Sequence, residues 1–366
     1  MTSFVNTQVQ INKSNLSELN TQVTTIVSAD LSDNQLVLKI DSFGFSANNI
    51  TYALMGDKMG YWGFFPAQSG FGIVPIWGFA VVVHSNHPEI KVGEKVFGYL
   101  PMASHLVVTA DKVTAQSFYD VNQARNSISS VYDQYVRCAA DPGYQADKQD
   151  WQLNFQPLFM TSFVLDDYVG ERITPTTKQV IITSASSKTG YGAAFLLKMF
   201  KQDRAANYRV VGLTSAANVK FTQQTGCYDT VLSYEDSGLI NNEGGSFVLD
   251  FAGNKPLLLS LQAHLAAAMQ SMIYIGVTDV KSQIQSFSGD LKGEFFFAPS
   301  QVKKRTQEWG GVAFMQKYAH AWKAFSSHIE PLLTTQEVSG VDAIKSLYLT
   351  GLQGRFATDK MYVARF

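Results

Sequence analysis

The segment Gln179-Val-Ile-Ile-Thr-Ser-Ala-Ser-Ser-Lys-Thr-Gly-Tyr-Gly-Ala-Ala-Phe-Leu-Leu-Lys198 constrains this chain more than any other stretch. An unbroken β-branched run meets a turn of small polar residues, and an apolar helix begins near Gly190. Strand, tight turn and helix in that order present the unpaired N–H groups of a helix N-terminus to an anion. In a doubly wound α/β domain that anion is the pyrophosphate of a dinucleotide. Where the G-x-G-x-x-G pattern has glycines, this loop has Ser184, Ser186 and Ser187, and only Gly190 stands in place. Ser186, Ser187 and Thr189 add hydroxyl donors and Lys188 adds a point charge. An ordinary strand–turn–helix capped by serine has the same appearance. Ser-Lys-Thr is also the end of a P-loop. That motif needs glycine at positions occupied by Ile182 and Ser187, so nucleotide hydrolysis is set aside.

The surrounding sequence supports a parallel sheet. From residue 158 onward, short β-branched runs (180–183, 209–213, 230–232, 247–250, 272–277) alternate with helical segments at 159–168, 193–200, 218–225 and 263–268. Such alternation builds a sheet with helices on both faces. After the second run stands Gly212-Leu-Thr-Ser-Ala-Ala-Asn-Val-Lys220. An NAD-specific site places an acid there for the ribose hydroxyl, which would repel a 2′-phosphate. No acid occurs from Val210 to Lys220, whereas Thr214, Ser215 and Asn218 offer donors, which favours NADP(H). Helix capping explains the same residues equally simply. A long amphipathic helix is expected over residues 301–325, and a short helix and closing strand over 338–366.

A chain of 366 residues normally divides into two domains. The first hundred residues read as closely spaced short strands, which suggests a barrel rather than βαβ units. Residues 115–157 are polar and weakly patterned around Asp141-Pro-Gly143, as an insertion or lid would be. The expected organisation is therefore a barrel-like substrate domain over 1–157 and 329–366, with a dinucleotide-binding domain over 158–328. The net charge of -1 leaves no basic footprint for nucleic acid. No apolar run approaches the roughly 18 residues of a membrane span, and with a polar N-terminus no signal peptide is expected. Cys138 and Cys227 are distant and outside any motif, as two reduced cytoplasmic thiols would be. The six histidines form no His-Glu-x-x-His, no Cys-x-x-Cys accompanies them, and no Gly-x-Ser-x-Gly elbow is present. The expectation is no metal and no nucleophilic catalysis. A further cluster, Ser46-Ala-Asn-Asn-Ile-Thr-Tyr52 followed by Gly60-Tyr-Trp-Gly-Phe-Phe-Pro66, combines amide and phenol donors with an aromatic wall. It suits a carbonyl-binding pocket, or equally a capped helix beside an aromatic core.

Taken together, these pieces resemble the medium-chain dehydrogenase/reductase superfamily, nearest its zinc-free quinone oxidoreductase and enoyl reductase branches. Residues 74–83 and Ile90-Lys-Val-Gly-Glu-Lys-Val-Phe-Gly98 are similar to its barrel strand and turn. Residues 180–198 resemble its nucleotide loop, and Val248-Leu-Asp-Phe-Ala-Gly253 resembles its "vlD.vG" strand end. The resemblance implies a GroES-like barrel plus a Rossmann sheet and an NADPH-dependent reductase, often a homodimer paired through an edge strand such as 272–277. Pro75-Ile-Trp77 replaces the Gly-His-Glu of the zinc enzymes, which excludes that branch. Thr161, Tyr234, Gly253 and Arg355 match cofactor-binding positions, while the family's lysine after the second strand falls near Asn218. The implied reaction delivers hydride to a polarised double bond of an enone, quinone or enoyl substrate. Charge then builds on the carbonyl oxygen and must meet donors, for which Tyr52, Tyr61 and Asn49 are the candidates. A tyrosine of pKa ~10 can also protonate the enolate. Phe64, Phe65 and residues 295–297 suit an apolar substrate. A non-catalytic NADP(H)-binding sensor or scaffold, and a metal-free carbonyl reductase, stay open as alternatives.

Overall fold

The computed structural model describes residues 2–122, 128–204, 206–276 and 291–366. Two units are present: Met1–Asn154 with Thr335–Phe356 and Lys360–Phe366, and Phe155–Thr334 with Ala357–Asp359.

The first unit opens with an antiparallel hairpin of β1 (Ser3–Asn12) and β2 (Asn15–Val27). Then come β3 (Gln35–Phe45), α1 (Ala47–Leu54), the two-residue β4 (Phe71–Gly72) and β5 (Pro75–Ser85). β6 (Lys95–Pro101), β7 (His105–Asp111), β8 (Ser117–Asp120) and β9 (Gln134–Arg137) follow. Six strands in the order β3-β5-β6-β9-β8-β7 close into a barrel, because β7 pairs back onto β3 through Gln35–Lys39. Closure removes the sheet edges that an open arrangement would expose.

The stretch 115–157 is not the insertion or lid expected of it, since it supplies β8 and β9 to the barrel wall. Strands of four residues carry too little alternation to stand out in sequence. Tertiary bonds fix them instead: the buried Tyr135 hydroxyl donates to Tyr99 O at 2.9 Å. The same stretch begins α2 (Gln149–Gly170), which is longer than the predicted helix at 159–168 and runs through Pro157. Proline lacks the N–H that Leu153 O would accept four residues earlier. That carbonyl lies against Gly44, where a Cβ would stand only 2.4 Å from it.

The second unit contains β10 (Thr177–Ile182), α3 (Lys188–Met199), β11 (Arg209–Thr214), α4 (Val219–Gln224) and β12 (Thr230–Ser233). β13 (Gly245–Asp250), α5 (Lys255–Leu265), β14 (Met269–Tyr274) and β15 (Glu294–Phe295) complete a parallel sheet in the order β12-β11-β10-β13-β14-β15. This is the doubly wound order, reversing between β10 and β13. Its core joins Ile181, Val211, Leu213 and Val248 to Leu258 and Leu261 of α5. The helix placed at 263–268 in fact starts at Lys255, capped by Asn254, whose side chain accepts from Leu257 N. The single helix expected over 301–325 is two, α6 (Ala298–Trp309) and α7 (Gly311–Ile329), divided at Gly310 with φ 81°. The segment 272–277, expected to pair as an edge in a dimer, is covered in part: β15 pairs beyond β14 at Ile273 and Tyr274, and Val277 lies outside the described residues.

β16 (Thr334–Ser339), α8 (Val341–Leu352) and β17 (Lys360–Arg365) close the chain, with β17 antiparallel to the end of β3. Among the described residues no helix is long and apolar enough to cross a membrane. Both cysteines are buried free thiols, and burial pushes Cys138 up to about 12 and Cys227 up to about 11.

Candidate functional site

In the second unit the loop after β10 is held residue by residue. Ser184 adopts φ 48°, the left-handed conformation that a glycine would take without cost. Its hydroxyl lies 3.3 Å from that of Tyr234, which follows β12. Ala185 O accepts from the Tyr228 hydroxyl at 2.8 Å. Ser186 Oγ accepts from Thr214 Oγ1 at 3.0 Å and from Asn218 Nδ2 at 3.3 Å, so both lone pairs are used and its own hydrogen is left to donate. Ser187 caps α3, accepting from Gly190 N at 3.1 Å. Gly190 has no room for a side chain: a Cβ would lie 2.8 Å from Ser187 Oγ and 2.9 Å from Ser184 O.

Lys188 is the first residue of α3, where the helix dipole is unfavourable to a cation. Its side chain is only partly covered at the surface, yet enough protein surrounds the ammonium that burial pushes it down to about 8, with Asp359 opposing the shift. A cation held at a helix N-terminus at such a cost is a natural partner for a ligand phosphate. The loop thus brings together Ser186, Ser187, Lys188, Thr189, Gly190, Thr214, Asn218 and Tyr234. Ser215 precedes the turn leading to α4, with no side-chain capping bond. Gly253, with φ 73°, follows β13. The Thr161 hydroxyl donates to Pro157 O within its own helix at 3.2 Å. Arg355 is exposed in the first unit and pairs with Gln353. Sequence reasoning named Ser184 only as a serine in a glycine's place, not among the binding residues, and passed over Tyr228. The signal for Ser184 was visible, namely a non-glycine residue where the turn demands a positive φ.

In the first unit, α1 begins at the N-cap Ser46, whose hydroxyl accepts from Asn48 N. Asn49 completes a capping box, its Oδ1 accepting from Ser46 N at 2.9 Å. Its Nδ2 donates to Pro75 O at 3.1 Å, so this amide fastens α1 to β5. Tyr52, one turn on, accepts from Trp77 Nε1 at 3.4 Å, which leaves its O–H as a donor. The rings of Tyr52 and Tyr61 stand 4.7 Å apart, and Tyr99 and Tyr132 join them at 5.6 Å from Tyr52 and 6.4 Å from Tyr61. Phe64 and Phe65 pack on Tyr99. Burial is the main cause that raises all four phenols, and for Tyr61 the neighbouring Tyr52 adds to it. These phenols stay protonated at neutral pH, as donors must. Phe295, by contrast, is 53% exposed, and Phe296 is buried against Tyr168.

A GroES-like barrel and a Rossmann sheet with a serine-built helix-N-terminal loop define a two-domain protein of the medium-chain dehydrogenase/reductase fold. The chain belongs to the family described as "Protein of unknown function (DUF2855)", whose model matches residues 43–357. No curated protein matches it. Among solved structures it is similar to CurA from Vibrio vulnificus in complex with NADPH, at 13% identity over 98% of each chain with a TM-score of 0.63. The Etr1p complex with NADP and crotonyl-CoA aligns at 12% identity over 100% of each chain, TM-score 0.58. A putative NADPH:quinone reductase from Bacillus thuringiensis aligns at 12% over 99% of each, TM-score 0.56. At these identities the likeness is one of fold.

Proposed function

We propose that the chain is an NADP(H)-dependent, zinc-independent reductase acting on the polarised double bond of an enone, quinone or enoyl substrate. The observation that carries this reading is the loop of residues 184–190, at the carboxyl end of the sheet's first strand. Left-handed Ser184, the close approach at Gly190 and the cation of Lys188 together form a cradle fitted to a phosphorylated dinucleotide. Supporting it, the CurA structure holds NADPH and the Etr1p structure holds NADP with crotonyl-CoA.

Lys188, Ser186, Ser187, Thr189 and the amides at the start of α3 would hold the phosphates. Thr214, Ser215 and Asn218 lie where an adenosine ribose is read, without an acid to repel a 2′-phosphate. Tyr234 and Gly253 would line the strand ends, while Thr161 and Arg355 keep their proposed cofactor roles on the resemblance alone. The bound nicotinamide supplies hydride. The chain's own part is to orient the acceptor and meet the charge that forms on its carbonyl oxygen. Tyr52, its oxygen already accepting from Trp77, donates its hydrogen there, and Tyr61 stands next in line. Asn49 acts as a positioning residue, fixing α1 and with it Tyr52. The aromatic surroundings favour an apolar acceptor.

The test is a titration of the pure protein with NADPH and with NADH, following nicotinamide and tyrosine–tryptophan fluorescence. Tight NADPH and weak NADH binding is expected, followed by NADPH oxidation on adding an enone, quinone or enoyl thioester. No binding of either nucleotide at millimolar concentration would sink the proposal.

A further inference from the structure

We infer that Thr183 and Asp250 are positioning residues for the dinucleotide, clamping the two loops on either side of the point where strand order reverses. The inference rests on the reading of the second unit as an NADP(H) site. β10 and β13 are the neighbouring strands at that reversal, and ligands of such sheets bind outside their carboxyl ends. Thr183 directly follows β10, and Asp250 is the last residue of β13.

Both side chains are 0% exposed. Thr183 Oγ1 donates to Asp250 Oδ1 at 2.6 Å and accepts from Phe251 N at 3.2 Å. Asp250 also accepts from Ala252 N at 3.4 Å and from Gly253 N at 2.8 Å. One hydroxyl and one carboxylate therefore organise every amide from Phe251 to Gly253, and they do so across to the other strand. The residues leaving the clamp on each side are the two left-handed ones, Ser184 at φ 48° and Gly253 at φ 73°. An apolar pair would fill this volume without the desolvation cost of a buried carboxylate. What an apolar pair cannot do is dictate how both loops depart from their strands. The pair itself touches no ligand; its effect passes through Ser184 to the phosphate loop and through Gly253 to the loop opposite.

The experiment measures NADPH affinity of the full-length protein by nicotinamide fluorescence. Thr183→Val, close in shape but without the hydroxyl, should weaken binding about tenfold while cooperative unfolding persists. Thr183→Ser should return affinity to within about threefold of the parent, since the hydrogen bonds are restored. Adding Ser184→Gly to Thr183→Val should recover part of the loss, because glycine enters the left-handed region without a clamp. Should Thr183→Val fail to fold, Asp250→Asn gives the same comparison and should weaken binding likewise. Unchanged affinity in Thr183→Val, a Thr183→Ser protein as weak as Thr183→Val, or no recovery from Ser184→Gly when that change alone leaves affinity intact would each overturn the clamp. Failure of the unaltered protein to bind NADPH overturns the cofactor reading itself, and the clamp with it.

Discussion

The serine loop of the second unit and the tyrosine cluster of the first hold their hydroxyls in different ways. Around residues 184–190, position is set by directed hydrogen bonds: Thr214 and Asn218 onto Ser186, Tyr228 onto Ala185, and the hydroxyl pair of Ser184 and Tyr234. In the barrel unit, the hydroxyls of Tyr52 and Tyr61 ride on rings that pack against one another, and Trp77 donates to Tyr52 over a long 3.4 Å bond. Directed bonds fix an oxygen to within tenths of an ångström and fail when a single atom is moved. Ring packing is less directional, so it tolerates loss of a hydroxyl while the shape of the wall survives. Damage to the loop should therefore appear as lost cofactor affinity, and damage to the tyrosine cluster as lost rate.

The sharpest break of that contrast is Gly190→Val. Its Cβ would meet backbone Ser184 O and the capping Ser187 Oγ at less than 3 Å, so the loop must open. NADPH affinity should fall by about 100-fold or more, with the barrel unit's aromatic near-UV signal unchanged. Retained affinity would show that the loop does not hold the phosphates. Tyr52→Phe keeps the ring and removes the donor. Reduction of an enone should slow by about 100-fold while NADPH affinity stays as it was. An undiminished rate would transfer the proton-donor role to Tyr61.

Lys188→Ala should weaken NADPH binding by about tenfold, and pH gives a second reading of the same residue. With the ammonium pushed down to about 8, phosphate loses its partner as pH rises through that value, so affinity should fall there in the parent and stay flat in the variant. Stability of the ligand-free protein runs the other way. The unfolded lysine keeps its proton to about pH 10.4. Between about 8 and that value the unfolded state binds more protons, and folding stability rises with pH. Lys188→Ala removes this rise, which chemical denaturation at pH 7.5 and pH 9.5 would detect. A parent whose NADPH affinity is level across this range would remove Lys188 from the phosphate site.

How much was legible beforehand follows the same division. The run from Gln179 to Lys198 places strand, loop and helix in contiguous order, so this strand–loop–helix unit of the sheet could be read directly. β8 and β9 could not, because four-residue strands owe their form to barrel closure. The amphipathic pattern over 301–325 runs on across Gly310, whose positive φ ends α6 and divides the expected helix in two. The tyrosine cluster was half visible. Tyr52 and Tyr61 are near in sequence, whereas Tyr99 and Tyr132 arrive from β6 and the segment before β9. For Asn49 the sequence offered a substrate donor or a helix cap; the structure shows the cap, with the amide serving Ser46 and also Pro75 on β5.

Ser184→Gly has the smallest expected effect and probes the loop most finely. Glycine removes the cost of a left-handed L-residue, about 1–2 kcal/mol. Against that, the more flexible unfolded chain costs roughly 0.4–1 kcal/mol. The lost contact with Tyr234, at 3.3 Å, removes about 0.5–1.5 kcal/mol more. These terms nearly cancel, so unfolding free energy should change by less than about 1 kcal/mol. Affinity for NADPH then separates two roles that the geometry combines. If the loop needs Ser184 only for its backbone conformation, glycine supplies that conformation and binding is preserved. A clear loss of affinity at unchanged stability would instead make the Ser184 hydroxyl a ligand in its own right, with Tyr234 as the group that aims it.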